Sequence, residues 1–307
     1  MPKLSPAERR LRNALNRGVC YKSLDFDYLC QRAPQRAGII IEGDSWVDYP
    51  RKYIVAGPSI NLGHRLEQTI EYTDTANVLR IGSNGDTAVA MTKGKQYDLM
   101  RKILKKRGHQ VDLLFFSAGG NDIVGKEDLN PLIKDYDAAV HQQWIDVIEM
   151  NEFNEKKAVI LDAYLKMIQL YEELAPNASI VTHTYDQIEP SPKGAEFFWK
   201  LYKSRSWVWP TMEFRNTPKA WRADIINYML KEFADGITAL QHHPSGEGRF
   251  FVVDTQGTLR PGNSKDWINE IHASPAGYRK LFSKIYPTIQ SLVGGLPALG
   301  WKQKLRA

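Results

Sequence analysis

The sequence contains no long apolar run. No uninterrupted stretch of its 307 residues reaches the ~18 apolar residues that a membrane-spanning helix needs, and no apolar segment typical of a signal peptide follows Met1. The composition, 43% hydrophobic and 25% charged, is ordinary for a globular chain that folds in water. We therefore expect a cytoplasmic protein without a transmembrane segment, and export by a route that needs no signal peptide stays open.

Cysteine is scarce as well, because Cys20 and Cys30 are the only two in the chain. Their spacing matches no zinc-binding pattern, and no second pair exists to complete four ligands. We therefore expect no metal site. Two reduced thiols are the expected state in the cytosol, and a disulfide between them stays open.

Several motifs of cofactor-binding and hydrolytic proteins are missing. The chain has neither a Walker A loop nor the glycine fingerprint of dinucleotide-binding domains, and we expect no cofactor. The Gly-x-Ser-x-Gly motif is also absent, which argues against the larger α/β-hydrolase fold.

The excess of basic residues is confined to the two ends of the chain. Residues 1–36 hold 8 Lys and Arg against 3 Asp and Glu, and residues 301–307 hold three basic residues and no acidic one. Of the 41 basic and 35 acidic residues in the whole chain, 30 and 32 remain for the body between these ends. A basic face on the body is therefore not indicated, and we expect no nucleic-acid partner.

Five short apolar runs alternate with amphipathic helical patterns. Ile39, Ile40 and Ile41 form the first run, which is typical of a central strand covered on both faces. The predicted strands cover residues 38–41, 78–81, 111–116, 179–185 and 250–253. Because helical segments connect them, we expect an α/β fold, a three-layer α/β/α sandwich around a parallel five-stranded sheet.

Capping residues mark several of the predicted helix starts. Asn61 is placed to cap the first helix after the opening strand. The pairs Thr217-Pro218 and Ser274-Pro275 each combine a capping hydroxyl with a proline at the first helical position. Further helices are predicted over residues 96–106 and 157–174 from their apolar spacing.

Polar turns follow the first three predicted strands, and a histidine follows the fifth. They are Gly43-Asp44-Ser45, Gly85-Asp86-Thr87, Gly119-Gly120-Asn121-Asp122 and His272. Each alone is equally well explained as a capping turn or a surface loop. Since the carboxyl ends of parallel strands share one edge of a sheet, we expect the four to meet there and to supply a nucleophile, a base and donors for an oxyanion.

In this order, the four segments resemble the SGNH family of GDSL-type ester hydrolases, from residue 43 to residue 272. The resemblance implies a flavodoxin-like sheet with strand order 2-1-3-4-5. It also implies a carboxylic ester hydrolase that works through an acyl-serine intermediate without metal or cofactor. Ser45 would be the nucleophile and His272 the base, and the oxyanion hole would be formed by the Ser45 N–H, Gly85 and Asn121.

One position departs from the family pattern. Asn269 stands three residues before His272, where the family usually has an aspartate. An amide oxygen can orient an imidazole, but it cannot offset the charge of an imidazolium. In a helix Asp266 would lie ~9 Å along the axis from His272, whereas an irregular loop could fold it back. Asp266, Asn269 and Glu270 all stay open as the residue that orients His272, with a preference for Asp266.

The chain divides into a basic N-terminal extension, residues 1–36, and an SGNH-type hydrolase domain, residues 37–307. Within the second unit, residues 190–217 are predicted to be an irregular insertion that contains seven aromatic residues. We expect this insertion to cover the site as a lid, with Trp207 and Trp209 contacting substrate. The alternative is that its rings pack onto the following helix.

His183, at the end of the fourth predicted strand, is a further candidate for substrate contact, with a structural histidine as the alternative. The expected substrate is a small-molecule, lipid or sugar ester, as for a lipase or esterase, and the sequence leaves its acyl and alcohol groups open. The oligomeric state stays open too. A rival hypothesis is a binding module on the same fold, with catalysis weakened by Asn269 and binding supplied by the aromatic insertion.

Overall fold

A parallel β-sheet lies between two layers of helices. The computed structural model describes residues 4–48, 61–83, 85–192, 196–197, 202–203 and 206–300. The strands are β1 (Val19–Cys20), β2 (Ala37–Gly43), β3 (Ala76–Arg80), β4 (Leu113–Ser117), β5 (Ser179–His183), β6 (Glu196–Phe197), β7 (Tyr202–Lys203) and β8 (Phe250–Val253).

The main sheet has the strand order β1-β3-β2-β4-β5-β8, and every pairing in it is parallel. For the five strands predicted from the sequence this is the order 2-1-3-4-5, so the expected topology is confirmed. Strand β2 is central, with Ile39 opposite Val78 of β3 on one side and Leu113 of β4 on the other. Strands β6 and β7 form a separate antiparallel pair.

Helices precede, connect and follow the strands. They are α1 (Pro6–Arg17), α2 (Ser23–Arg32), α3 (Ser45–Asp48), α4 (Leu62–Ile70), α5 (Ala88–Met91), α6 (Gly94–Arg107), α7 (Gly120–Val124), α8 (Lys126–Leu129), α9 (Met150–Leu174), α10 (Trp209–Phe214), α11 (Lys219–Ala239) and α12 (Pro275–Leu292). Helix α4 packs against α12, and α9 packs against α6 and α11. Right-handed crossovers place these two groups on opposite faces of the sheet.

The core lies on both faces of the central strands. Ile39, Ile40 and Ile41 are all completely buried, and so are Phe115 and Phe116 of the neighbouring strand β4. This is the reason why the run at β2 is continuously apolar rather than alternating. Burial on both faces fixes the strand rigidly, which positions the turn at its carboxyl end.

The sheet has six strands rather than the predicted five. Strand β1 joins the edge beside β3, where Val19 pairs with Val78 and Cys20 with Leu79. Two residues between two helices are too short to show an alternating pattern, so the sequence does not predict this strand. Cys20 and Cys30 are buried and are not joined by a disulfide.

The described parts of the insertion are less irregular than predicted. Residues 190–217 contain the pair β6 and β7 and also helix α10. The start of α11 is also shifted by one residue, because Pro218 occupies the N-cap, and the hydroxyl of the predicted cap Thr217 makes no capping hydrogen bond. The caps predicted at Asn61 and Ser274 are confirmed, since each side chain accepts a backbone N–H.

None of the helices in the described part of the chain is both long enough and apolar enough to cross a bilayer.

Candidate active site

The nucleophile candidate lies in a tight turn at the end of β2. Gly43 has φ +152°, and a Cβ at this position would lie 2.3 Å from the backbone oxygen of Ser117, so only glycine allows β2 to approach β4 so closely. The Asp44 N–H donates to the same Ser117 oxygen at 2.8 Å. Ser45 follows as the first residue of α3, and it is buried.

Asp44 anchors this turn through a buried hydrogen-bond network. Its carboxyl group accepts bonds from the Tyr185 hydroxyl and from the Trp46 N–H, and it contacts the Ser117 hydroxyl at 3.1 Å. Burial raises the pKa of Asp44 to about 7. Ser117 also contacts His183 Nε2 at 3.0 Å, so its single hydroxyl proton is shared between an acid and an imidazole. Neither Ser117 nor Tyr185 belongs to a local motif, so the sequence alone does not predict their place in this network.

The turns after β3 and β4 are joined by Asn121. Its Nδ2 donates to the backbone oxygen of Asp86 at 2.9 Å, which leaves a second amide hydrogen on the same nitrogen. Asp122 accepts the Ala88 N–H at 2.7 Å, and this bond ties the same two turns together. Gly85 is exposed with φ +88°, and a Cβ there would have no heavy atom within 4 Å.

His272 lies in a closed, non-helical turn between β8 and α12. The turn is held by an antiparallel bridge between Trp267 and Ala273. His272 Nδ1 contacts Asn269 Oδ1 at 3.2 Å, and this oxygen also accepts the N–H groups of Ile271 and His272 at 3.0 and 2.8 Å. Burial lowers the pKa of His272 to about 3, so its imidazole is neutral at neutral pH.

The structure places the Asp266 carboxylate against donors other than the preferred partner His272. Asp266 is buried, but its Oδ1 accepts from Lys280 Nζ at 2.6 Å and its Oδ2 accepts from the Arg260 N–H at 3.1 Å. The irregular loop does not fold Asp266 back onto the imidazole, because its carboxylate is held by these two donors. The contact to Nδ1 comes from Asn269.

Glu270 does not contact His272 Nδ1 but binds the backbone of the 190–217 insertion, a contact that the sequence does not predict. Its carboxylate is buried and accepts backbone N–H groups from Ser191, Trp207, Val208 and Trp209. These donors lie near both ends of the 190–217 insertion, so one carboxylate fastens both ends to the turn that carries His272. Burial raises the pKa of Glu270, while the four N–H bonds oppose that shift.

The nucleophile and base segments meet through Trp46. Its Nε1–H donates to the backbone oxygen of Ile271 at 3.2 Å. The indole also stacks on His183 at 5.3 Å between ring centroids and meets Tyr278 edge to face at 5.9 Å. The residue after Ser45 is thereby bonded to the residue before His272.

A pocket opens beside Ser45. Its walls combine apolar side chains with a few polar groups: Asp44, Ser45, Trp46, Gly120, Asn121, Val124, Tyr185, Asp186, Ile188, Leu230 and Ile271. A largely apolar cleft with convergent polar groups is the usual form of a small-molecule site. Within the described residues, no group of three or more His, Cys, Asp or Glu is arranged to hold a metal ion.

The three candidate substrate contacts lie in different places. Trp207 meets the His272 ring edge to face, with 5.2 Å between ring centroids. Trp209 instead packs under the Arg222 guanidinium at 4.2 Å. His183 is completely buried, stacks on Trp46 and does not line the pocket, which favours the alternative of a structural histidine. Residues 193–195, 198–201 and 204–205 of the predicted lid lie outside the described residues.

Comparison with solved structures identifies the fold. The lipase Lip_vut3 from a goat rumen metagenome is 14% identical, with a TM-score of 0.50 over 85% of this chain and 100% of that one. An extracellular lipase from Streptomyces rimosus is 14% identical, with a TM-score of 0.48 over 84% and 100%. A candidate SGNH hydrolase from Slackia heliotrinireducens is 12% identical, with a TM-score of 0.41 over 83% and 99%.

No protein-family model and no curated protein matches the sequence. At 14% identity, the similarity to Lip_vut3 shows a shared fold. The shared architecture is the α/β fold expected from the sequence, a parallel sheet flanked by helices.

Proposed function

We propose that the protein is a serine hydrolase that cleaves carboxylic esters through an acyl-serine intermediate. The orientation of His272 carries this proposal. Two backbone N–H groups point at Asn269 Oδ1 and identify that atom as the amide oxygen, so the His272 nitrogen facing it must carry the proton. The neutral ring is therefore protonated on Nδ1, and Nε2 is the basic nitrogen, as a general base requires.

The reaction follows the usual two halves of acyl transfer. Ser45 Oγ attacks the acyl carbonyl while His272 Nε2 takes the hydroxyl proton, and the ester C–O bond then breaks. His272 returns that proton to the leaving alcohol. Water attacks the acyl-enzyme with His272 again as base, which releases the acid and restores the Ser45 hydroxyl.

The oxyanion is assigned to three donors at the same edge of the sheet. These are the backbone N–H groups of Ser45 and Gly85 and the Asn121 amide. The bond from Asn121 to the Asp86 oxygen supports this assignment, since it joins two of the three donor segments before substrate arrives. The second Nδ2 hydrogen of Asn121 is assigned to the oxyanion.

A fluorophosphonate probe and a panel of nitrophenyl esters test the proposal. The wild-type protein should be labelled covalently and should hydrolyse at least one ester, and Ser45→Ala should lose both properties while keeping its melting temperature. Ser283→Ala, an exposed serine of α12 whose hydroxyl donates to Arg279, is the matched control and should behave as wild type.

The rival binding module predicts another outcome of the same experiment. A protein that binds esters without cleaving them would show no labelling and no turnover, yet an ester would raise its melting temperature. Wild-type turnover in Ser45→Ala would contradict both hypotheses, because another nucleophile would then be at work.

A further inference from the structure

Glu270 forms an unusually complete carboxylate site between the His272 turn and the insertion. Its side chain is buried, with the residue only 3% exposed. Oε1 accepts the N–H groups of Trp207 and Val208, and Oε2 accepts those of Ser191 and Trp209, the latter two at 3.2 Å. A carboxylate offers about four lone-pair positions, so these bonds use all of them.

The four bonds also argue against Glu270 as the hydrogen-bond partner of His272 Nδ1. Because both oxygens already accept backbone donors, the carboxylate is committed to the insertion and not to His272 Nδ1, which contacts Asn269. Hydrogen bonds to an ionised acceptor are stronger than those between neutral groups. Glu270 therefore holds the backbone at Trp207 firmly in one place relative to the turn on which His272 stands.

The Trp207 side chain is in turn placed against the imidazole. The two rings meet edge to face at an interplanar angle of 75°, with centroids 5.2 Å apart. Asn269 fixes one nitrogen of the ring through a single bond of 3.2 Å. A large flat neighbour restricts rotation of the imidazole about that bond and shields it from water, which would otherwise compete for both nitrogens.

We infer that Glu270 is a positioning residue for the base: acting through Trp207, it keeps the His272 imidazole in the orientation and tautomer in which Nε2 is the basic nitrogen. The inference rests on the proposed hydrolase function for its kinetic consequence. It also requires that Trp207, but not Trp209, restrains the imidazole, because the Trp209 indole faces Arg222.

The test combines kinetics with the tautomer of His272. Glu270→Gln keeps the shape but turns an NH₂ group toward two of the four donors, so Trp207 should lose its fixed place. We expect kcat to fall by roughly 10- to 100-fold, the scale of a small misplacement of a catalytic group, with little change in KM. Glu270→Asp, which keeps the charge, should recover part of that loss.

Long-range ¹H–¹⁵N correlation spectra with ¹⁵N-labelled histidine report the tautomer directly at pH 7. The chain has 7 histidines, and His272→Gln identifies the signal of interest. Wild type should show the Nδ1–H tautomer, and Glu270→Gln and Trp207→Leu should both show a mixture. The variant that combines Glu270→Gln with Trp207→Leu should lose no more of the Nδ1–H tautomer than the more strongly affected single variant, because both changes act on the same ring.

Two controls separate this role from simple stabilisation. Asp25→Asn removes another buried carboxylate, which pairs with Arg10, and should lower the melting temperature without changing kcat or the tautomer. Trp209→Leu should leave the tautomer unchanged. If Glu270→Gln resembles Asp25→Asn, the inference is overturned. If the tautomer responds as expected but wild type cleaves no ester, the hydrolase proposal fails and the positioning relationship stands.

Discussion

The indole N–H of Trp46 donates a hydrogen bond of 3.2 Å to the backbone oxygen of Ile271. Trp46 adjoins Ser45, and Ile271 adjoins His272, so this bond spans 225 positions of sequence to join the two segments on which the proposed chemistry depends. The separation of Ser45 and His272, the proposed nucleophile and base, is therefore set partly by an aromatic side chain that takes no part in the proposed reaction.

Trp46→Phe keeps an aromatic ring but removes the donor. The Ile271 oxygen then loses its buried partner, which should cost roughly 1–3 kcal/mol of unfolding free energy. We expect kcat for ester hydrolysis to fall as well, because the two segments are no longer fixed to each other. Urea unfolding and steady-state kinetics measure both effects. Trp221→Phe, a ring that packs on Tyr136, is the control and should leave kcat unchanged.

Asn269→Asp should convert the neutral partner of His272 into a charged one. A carboxylate opposite Nδ1 favours the imidazolium, so the pKa of His272 should rise from about 3 and the acid limb of kcat/KM should move to higher pH. Each unit of pKa corresponds to about a tenfold gain in stabilisation of the imidazolium, and kcat at neutral pH should increase accordingly. A pH profile of both proteins provides the measurement.

Asp266→Asn is the comparison for that experiment. Asp266 is bonded to Lys280 and Arg260, so its loss should lower the melting temperature and leave the pH profile in place. A fall in kcat of up to about 10⁴ in Asp266→Asn, the scale for loss of an orienting carboxylate, would return the role to this residue.

Glu42 should make the fold less stable as the pH rises. Burial raises its pKa to about 8, above its value in the unfolded chain, so the folded state holds a proton that the unfolded state releases. This stability is complete below pH ~4.5 and is lost toward pH 8, at roughly 1.4 kcal/mol per pH unit. Glu42→Gln retains an oxygen for the Gly43 and Gln96 donors and should match wild type at pH 4.5 but exceed it at pH 9. Parallel denaturant curves that never diverge would contradict this.

The pocket beside Ser45 should set the length of the acyl group. Leu230 is buried and forms part of its apolar wall. Leu230→Trp should reduce kcat/KM for an octanoate ester relative to an acetate ester by about 10- to 100-fold, because bulk in the wall excludes several methylenes. Val159→Trp on the exposed side of α9 is the control. Equal losses on both esters would mean that the acyl chain lies elsewhere.

The sheet could be predicted because its signals are local. Ile39, Ile40 and Ile41 identify a doubly covered strand, and the helical segments between strands require parallel pairing. Strand β1 could not be predicted, since Val19 and Cys20 gain their partners only from β3, more than fifty residues later. An edge strand of two residues has no pattern of its own.

The candidate site could be predicted in its residue types but not in its connections. Ser45 and Asn121 follow strand ends that the topology must bring to one edge, and His272 lies in the loop that follows β8. The choice between Asp266 and Asn269 depended on the path of a short irregular turn, and Lys280, from the following helix, decided where Asp266 points. The contacts of Glu270 were the hardest to predict from the sequence, because its four donors come from two stretches of backbone that are distant in the chain.

The Glu270 carboxylate should allow the segment between Ser191 and Trp207 to be exchanged. Ser191 and Trp207 are fastened to the same side chain, so the chain leaves and returns at one point. A peptide of another length or composition could be grafted between these two anchors without shifting the register of any strand.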